Sequence, residues 1–378
     1  MLIKKFKDEI DIKDLADIHP SLYTLVDIRD EVSHDYGCIP HSISNENILF
    51  DENLDKNKSY VLYCMKGIDS YSIAERLRDK GFDAISLKGG YSAYLKSQLG
   101  RADKDLNEKC EKSITTTYRK QLLSPFLKAI DTYQLIQEGD KIAVCISGGK
   151  DSMLMAKLFQ ALKRFSRVNF EIEFIIMDPG YSELNRLLIE ENARNLNVPV
   201  KIFETSIFDV VYNQEKSPCY LCARMRRGHL YNYAKEMGCN KIALGHHYDD
   251  VIETILMGMM YGGQIQTMMP KLKSDNFEGM ELIRPLYLIR ENDIKNWRDY
   301  NDLHFIQCAC HFTDTCSSCR EDGTTSSKRM EIKNLIRELK KTNPYIEKNI
   351  FKSVENVNLD TIIAYKKDGK KISFLDEY

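Results

Sequence analysis

Two series of short apolar runs alternating with amphipathic stretches fill most of the chain, and one polar stretch separates them. In the first series, LYTLVDIR (22–29) and YVLYC (60–64) are rich in β-branched and aromatic residues and predict strands. SYSIAERLRDKG (70–81) has apolar positions at helical spacing and ends on a glycine stop, and AISLKGG (84–90) predicts a further strand leading into a turn. The stretch 99–115, GRADKDLNEKCEKSITT, has little apolar periodicity and reads as a linker in which Cys110 is incidental. The second series begins near residue 116 with helix SPFLKAIDTYQLI, strand KIAVCIS (141–147), helix MLMAKLFQALKRF and strand FEIEFIIMD (170–178). It continues through a helix to about 195, strand PVKIFET (199–205), helix RRGHLYNYAKEMG, strand KIALGHH (241–247) and helix DDVIETILMGMMYGG. After residue 285 the pattern is helical around a cysteine-rich loop.

Strands alternating with helices predict parallel sheets covered on both faces, with ligands beyond the carboxyl ends of the strands. The expected fold class is α/β: a compact α/β domain at 1–98, the linker at 99–115, a doubly wound parallel-sheet domain at 116–357 with a helical C-terminal extension, and a tail at 358–378. At 378 residues, two domains can each bury a core. No apolar run is long enough to span a membrane, and the N-terminal MLIKKFKDEIDIKDLADIH carries acids throughout, so neither a membrane partner nor a secretory signal is expected and a cytoplasmic location is. A net charge of −2 excludes a global basic field, so any RNA contact must come from local patches. Eleven cysteines without an export signal point to metal, cluster or redox chemistry rather than a disulfide framework.

The sharpest chemical signal is Ser147-Gly148-Gly149-Lys150-Asp151-Ser152, between an apolar strand and a helix. A helix N-terminus offers free N–H groups and a positive dipole end, two glycines let the backbone approach an anion, and Lys150 adds a point charge, a set that suits phosphate. Val144 stands where a Walker A loop needs glycine, and the Rossmann fingerprint is absent. SGGKDS in this setting resembles the PP-loop of the N-type ATP pyrophosphatases. The resemblance implies ATP on Ser147–Ser152, with Met177 and Asp178 on the adenine and ribose side. LGHHYDDVIET (244–254) follows a further signature of these proteins; Asp249 and Asp250 could hold Mg²⁺ on the pyrophosphate, with His246 beside them, the plainer alternative for His246 and His247 being capping of the helix.

Cys219 and Cys222 form a CxxC ahead of Arg224, Arg226 and Arg227, and two thiolates at that spacing can grip one metal or one iron of a cluster. Together with SGGKDS, LGHHYDD, Met260-Tyr261-Gly262-Gly263, Pro270-Lys271 and Ile283-Arg284-Pro285-Leu286, this resembles the tRNA 2-thiocytidine synthetase family across about 115–357. The resemblance implies a 4Fe–4S cluster on three cysteines: Cys219, Cys222 and either Cys308 or Cys310, because the third-ligand loop departs from the family pattern. By ligand type and spacing, Cys310, His311, Cys316 and Cys319 also fit a Zn²⁺ site. Arg224, Arg226 and Arg227 are candidates for the RNA backbone, as is 326–341, which reads equally as a solvated amphipathic helix.

In the front domain, Tyr63-Cys64-Met65-Lys66-Gly67-Ile68-Asp69-Ser70 lies between a strand and a helix, a cradle for a thiolate or persulfide. With VDIRDE (26–31), GCIPHSISN (37–45) and LKGGYSAY (87–94), it resembles a single rhodanese domain carrying a persulfide on Cys64. Asp69 replaces the usual arginine near the loop's end and leaves Lys66 as the loop's one cation, which favours a protein persulfide over thiosulfate as donor. The resemblances together imply tRNA and a persulfide donor such as a cysteine desulfurase as partners, a homodimer, and thiolation of an anticodon-loop cytidine. Two other readings stay open: a PP-loop ligase or thiolase acting on another nucleoside or a small molecule, and a non-catalytic sulfur-relay or redox adaptor.

Overall fold

The computed structural model describes residues 3–44, 54–100, 105–212, 218–305, 328–367 and 369–376. In the front domain, the short helix α1 (Ile3–Phe6) leads to β1 (Glu9–Ile10), followed by α2 (Ile12–Ala16), β2 (Thr24–Asp27), α3 (Glu31–Tyr36), β3 (Ile43–Ser44), β4 (Ser59–Tyr63), α4 (Ile68–Asp79), β5 (Asp83–Leu87) and α5 (Gly90–Gln98). The strands form one parallel sheet in the order β1-β5-β4-β2-β3, which puts β4, and Cys64 just beyond it, at the centre. Period-two alternation sorts β4 between two cores: Tyr60 and Leu62 pack with Ala74 and Leu77 of α4, and Val61 and Tyr63 pack on the opposite face.

The polar stretch expected to be a linker is in large part helix α6 (Leu106–Thr115), with Cys110, Ser113 and Ile114 buried. Its composition hides this because the inward face serves a buried lysine as well as apolar neighbours. Lys157 Nζ donates to Asn107 at 2.6 Å and to Glu111 at 2.9 Å, two residues one turn apart on α6. Ser113 accepts from the Trp297 indole N–H at 3.0 Å. A π-helical turn, Arg119–Leu123, carries the chain into α7 (Ser124–Thr132).

The second sheet uses β6 (Lys141–Ile146), then α8 (Lys150–Phe165), β7 (Glu171–Asp178), α9 (Glu183–Asn195), β8 (Val200–Glu204), α10 (Ile207–Tyr212), α11 (Pro218–Glu236), β9 (Lys241–Ala243), α12 (Tyr248–Gly262), β10 (Lys271–Lys273) and β11 (Glu281–Ile283). Strand order is β10-β11-β9-β6-β7-β8, parallel except for β10. Ile142, Val144 and Ile146 of β6 face one core while Ala143 and Cys145 face the other, as a strand covered by helices on both sides requires. The chain runs outward from β6 to β8 and then returns to β9 on the other flank of β6. The crevice for a ligand therefore opens between the carboxyl ends of β6 and β9.

Beyond β11 the expected helices are present as α13 (Glu291–Tyr300), α14 (Lys328–Thr342) and α15 (Ile346–Ser353). The last two pack on α12 through Ile332, Ile336, Ile350 and Phe351. The stretch expected as a tail contains an antiparallel hairpin, β12 (Ala364–Lys367) with β13 (Lys370–Ser373). The two domains share one apolar cluster, which runs from Val61, Tyr91 and Leu95 through Ile114 and Leu122 to Val144 and Trp297. Tyr94 of α5 also stacks edge-on against His304 at 5.7 Å between ring centroids.

Candidate active site

β6 ends at Ile146, and the chain turns through Gly148 at φ +84°, a conformation that excludes a Cβ at little cost only for glycine. Gly149 precedes α8, whose first residue is Lys150. Ser152 closes the loop: its hydroxyl accepts the Ser147 N–H at 3.1 Å and donates to the Gly149 carbonyl at 3.0 Å. The loop after β9 comes in alongside. A Cβ on Gly245 would lie 3.2 Å from the Ser152 nitrogen and 3.3 Å from the Asp151 carbonyl carbon, so glycine is what lets the two loops touch. His247 Nε2 lies 3.9 Å from an Asp151 carboxylate oxygen. The two motifs, nearly a hundred positions apart in the chain, thus meet at the switch point of the sheet.

Lys150 is only 2 % exposed, with its ammonium 3.1 Å from Asp151 and 3.4 Å from Glu291. Burial alone would raise the Glu291 carboxyl, but Lys150, Lys333 and Lys295 outweigh it and hold it down at about 2. Asp249 accepts from Arg290 (Nη2 at 2.9 Å, Nε at 3.2 Å) and from the Glu291 N–H at 2.7 Å. Asp250 accepts the His247 N–H at 3.0 Å and Arg329 at 3.2 Å, while His247 Nδ1 accepts the Asp250 N–H, a reciprocal cap on α12. The capping role considered for the histidine pair therefore falls to His247. Among the described residues the buried Nδ1 of His246 has no hydrogen-bond partner, and the imidazole is held down at about 4, chiefly by burial, which keeps it neutral at pH 7. The two aspartates considered for Mg²⁺ are both committed to arginines, so a cation there would have to displace Arg290 or Arg329.

Glu253, on the next turn of α12, is 2 % exposed and is pushed up to about 7 by burial, against the pull of Lys333 and Arg329. A carboxyl that holds its proton to about 7 when folded but ionises near 4.5 when unfolded contributes stability below 4.5 that is lost as the pH rises through 7. The span corresponds to roughly 3 kcal/mol. Glu253→Gln is expected to flatten this decline, giving a melting temperature that changes less between pH 5 and pH 8 than that of the parent protein. Thermal unfolding at both pH values checks it.

On the proposed adenine side, Met177 is buried, and Asp178 accepts the N–H groups of Gly180 (2.9 Å) and Tyr181 (2.7 Å) and pairs with Arg186 at 3.0 Å. Its carboxylate shapes the turn after β7. Arg284, from the IRPL run, is buried, donates to the Met269 carbonyl and is held down at about 10, chiefly by burial. Its electrostatic neighbours include Asp250 and, as a like charge, Arg227, which places Arg227 of α11 near this end of the sheet.

Cys219 and Cys222 stand one turn apart at the start of α11 rather than in a loop ahead of it. Cys222 is half-buried against the cluster that holds Cys145 and Met177, at the carboxyl ends of β6 and β7. Their spacing fits two ligands to one iron or one metal. Cys308, Cys310, His311, Cys316 and Cys319 lie outside the described residues, and among the described residues no three His, Cys, Asp or Glu side chains form a metal site. Arg224 and Arg227 are exposed on α11 and Arg226 is half-buried. In the basic run 326–341, Arg329 and Lys333 pair with Asp250, Glu253 and Glu291, which removes them from a free phosphate-binding face.

In the front domain, Cys64 Sγ accepts the Gly67 N–H at 3.1 Å and faces the Ser70 hydroxyl at 3.7 Å, at the N-terminus of α4. The cradle is clamped by α5: Tyr91 N–H donates to the Cys64 carbonyl at 2.8 Å, and a Cβ on Gly90 would lie 2.2 Å from that oxygen. Arg29, paired with Asp27 and lying 4.0 Å over the Tyr91 ring, donates to the Gly37 carbonyl at 2.7 Å and fixes the segment after α3.

Residues 114–312 match the family model of the PP-loop domain. The tRNA-cytidine(32) 2-sulfurtransferase of Alcanivorax borkumensis is 37 % identical over 63 % of this chain and 81 % of its own length, and that of Geotalea uraniireducens is 36 % identical over 63 % and 93 %. The chain belongs to this PP-loop sulfurtransferase family. Residues 4–97 match the family model of the rhodanese-like domain. The U34-tRNA thiolase NcsA from Methanococcus maripaludis, solved with its 4Fe–4S cluster, is alike over 61 % of this chain and 76 % of its own at 22 % identity and a TM-score of 0.48, a likeness too distant to carry function.

The family motifs SGGKDS and LGHHYDD are the ones that the fold unites. The residues that complete the site without a motif of their own are Arg290, Glu291, Arg329 and Lys333. Glu253 was within reach of the sequence, since it lies inside the LGHHYDDVIET run three positions after Asp250. Among the described residues no helix is long and apolar enough to cross a membrane.

Proposed function

We propose that this enzyme thiolates tRNA at the expense of ATP, with an anticodon-loop cytidine C2 as the target and Cys64 as the persulfide carrier. The observation that carries the reading is that one chain of this family holds two anion cradles at the carboxyl ends of two parallel sheets. One is the glycine loop at Ser147–Ser152 and the other the N–H cradle of Cys64. The loop N–H groups and Lys150 would bind the triphosphate. The base carbonyl oxygen then attacks the α-phosphorus, the bond to the bridging oxygen breaks and pyrophosphate leaves. In-line positioning and charge neutralisation supply most of that step. A thiol reductant cleaves the S–S bond of the Cys64 persulfide, is itself oxidised to a disulfide and leaves the Cys64 thiol and hydrosulfide; the hydrosulfide sulfur next attacks the activated carbon and AMP departs.

Cys219 and Cys222, with Cys308 or Cys310, are the proposed holders of a 4Fe–4S cluster, which when bound would supply an open iron for the sulfur atom. The Asp249 and Asp250 carboxylates are already balanced by Arg290 and Arg329 and do not form an open Mg²⁺ site. Arg224, Arg226 and Arg227 are proposed to meet the RNA backbone. A persulfide-bearing protein as donor, a cytoplasmic setting and a homodimer complete the proposal. The test is mass spectrometry of tRNA nucleosides after incubation with ATP and a persulfide donor, together with release of AMP. A thiolated cytidine is expected; AMP release indifferent to RNA would favour a small-molecule ligase, and no turnover at all would favour a relay adaptor.

A further inference from the structure

The nucleotide loop has a neighbour from the other domain. Helix α3 of the front domain ends at Tyr36, whose hydroxyl accepts the Lys150 N–H at 3.4 Å, and the Lys150 ammonium lies 5.0 Å from the centroid of the same ring. That N–H opens helix α8, so it has no partner inside the helix and belongs to the set an anion at this loop uses. Lys150 is the loop's cation. One tyrosine therefore takes up both a donor and the charge that a phosphate would engage. Its placement is built into the interface. The carbonyls of Asp35 and Tyr36, at the negative end of α3, accept from the buried guanidinium of Arg298, at 3.2 Å for Asp35. Lys295 stands 3.8 Å from the Asp35 carboxylate.

We infer that Tyr36 is a nucleotide-site residue supplied by the front domain, one that holds the place of a phosphate oxygen until ATP arrives. The triphosphate and docked α3 compete for the same N–H and the same ammonium. Linkage makes the effect mutual: docking of α3 weakens ATP binding, and ATP loosens the attachment of the domain that carries Cys64. Nucleotide occupancy and the position of the sulfur carrier are in this way tied through one side chain. The inference rests on the proposed reading of Ser147–Ser152 as the phosphate site of ATP.

Calorimetric titration of the full chain with ATP tests it, using the parent protein, Tyr36→Phe and Arg298→Gln. Tyr36→Phe keeps the ring and removes the competing acceptor, so ATP is expected to bind about three- to tenfold more tightly, the range for loss of one neutral hydrogen bond. Arg298→Gln, remote from the loop N–H groups, is expected to tighten binding as well. In the parent protein a non-hydrolysable ATP analogue is expected to speed amide exchange over residues 31–36. Unchanged or weaker ATP binding in a folded Tyr36→Phe variant overturns the inference, and weaker binding would make Tyr36 a ligand of the nucleotide. A parent chain that binds no ATP refutes the loop's assignment instead. If Arg298→Gln does not fold, Tyr36→Phe decides alone.

Discussion

In a Cys64→Ala variant, thiolation fed by a persulfide donor is expected to fall by at least about a thousandfold, the scale of losing a nucleophile, while RNA-dependent release of AMP continues. The separation follows from the architecture. Cys64 hangs on the Gly67 N–H and the Ser70 hydroxyl of the front domain, and no described hydrogen bond links it to the glycine loop. The side chain contributes little to the core beyond its own small volume, so the fold should survive its loss. Parallel assays of labelled sulfur in tRNA and of AMP check the expectation. Undiminished transfer would make the front domain's cradle dispensable. Equal loss of both activities would mean that the thiol also acts in adenylation.

The second large effect is expected at Lys150. Lys150→Met removes the loop's cation, and kcat/KM for AMP formation is expected to drop by about a hundred- to a thousandfold, as when one preorganised charge at a transition state is deleted. The difficulty is that Lys150 is buried against Glu291, so the same change strips that carboxylate of one of its two close cations, leaving Lys333, and lowers stability as well. The double variant Lys150→Met/Glu291→Gln resolves the two effects. It removes the undercompensated charge and is expected to recover most of the melting temperature without recovering AMP formation. Recovery of activity together with stability would show that Lys150 serves folding rather than the phosphates. Steady-state kinetics beside thermal unfolding gives both readings.

The glycine loop was legible because its determinants are local: a strand, two glycines, a lysine and a helix start within a dozen residues. LGHHYDD was legible for the same reason, but the state of its aspartates was not. Asp249 meets Arg290 from 41 positions away and Asp250 meets Arg329 from 79, so nothing in the motif announces that both carboxylates arrive paired. Helix α6, within the stretch read as a linker, was not foreseen because its inward face carries few apolar residues. Asn107 and Glu111 lie on its inward face as partners for buried Lys157, whose burial becomes visible only after α8 is in place. The start of α11 was placed late because a CxxC followed by three arginines lacks apolar spacing, although a helix satisfies the backbone there equally well.

The order of residues alone indicated most of the strands and helices of the two sheets, which face of each strand is apolar, and which helix starts could receive an anion. These depend on side-chain periodicity and backbone conformation within a few positions. Only the tertiary structure decided which charges neutralise one another around Lys150 and which domain lends the nucleotide loop its tyrosine. Ion pairing and hydrogen bonding act over a few ångströms in space, whereas Tyr36 and Lys150 are 114 residues apart along the chain, and no local pattern encodes that a separate sheet will deliver one to the other.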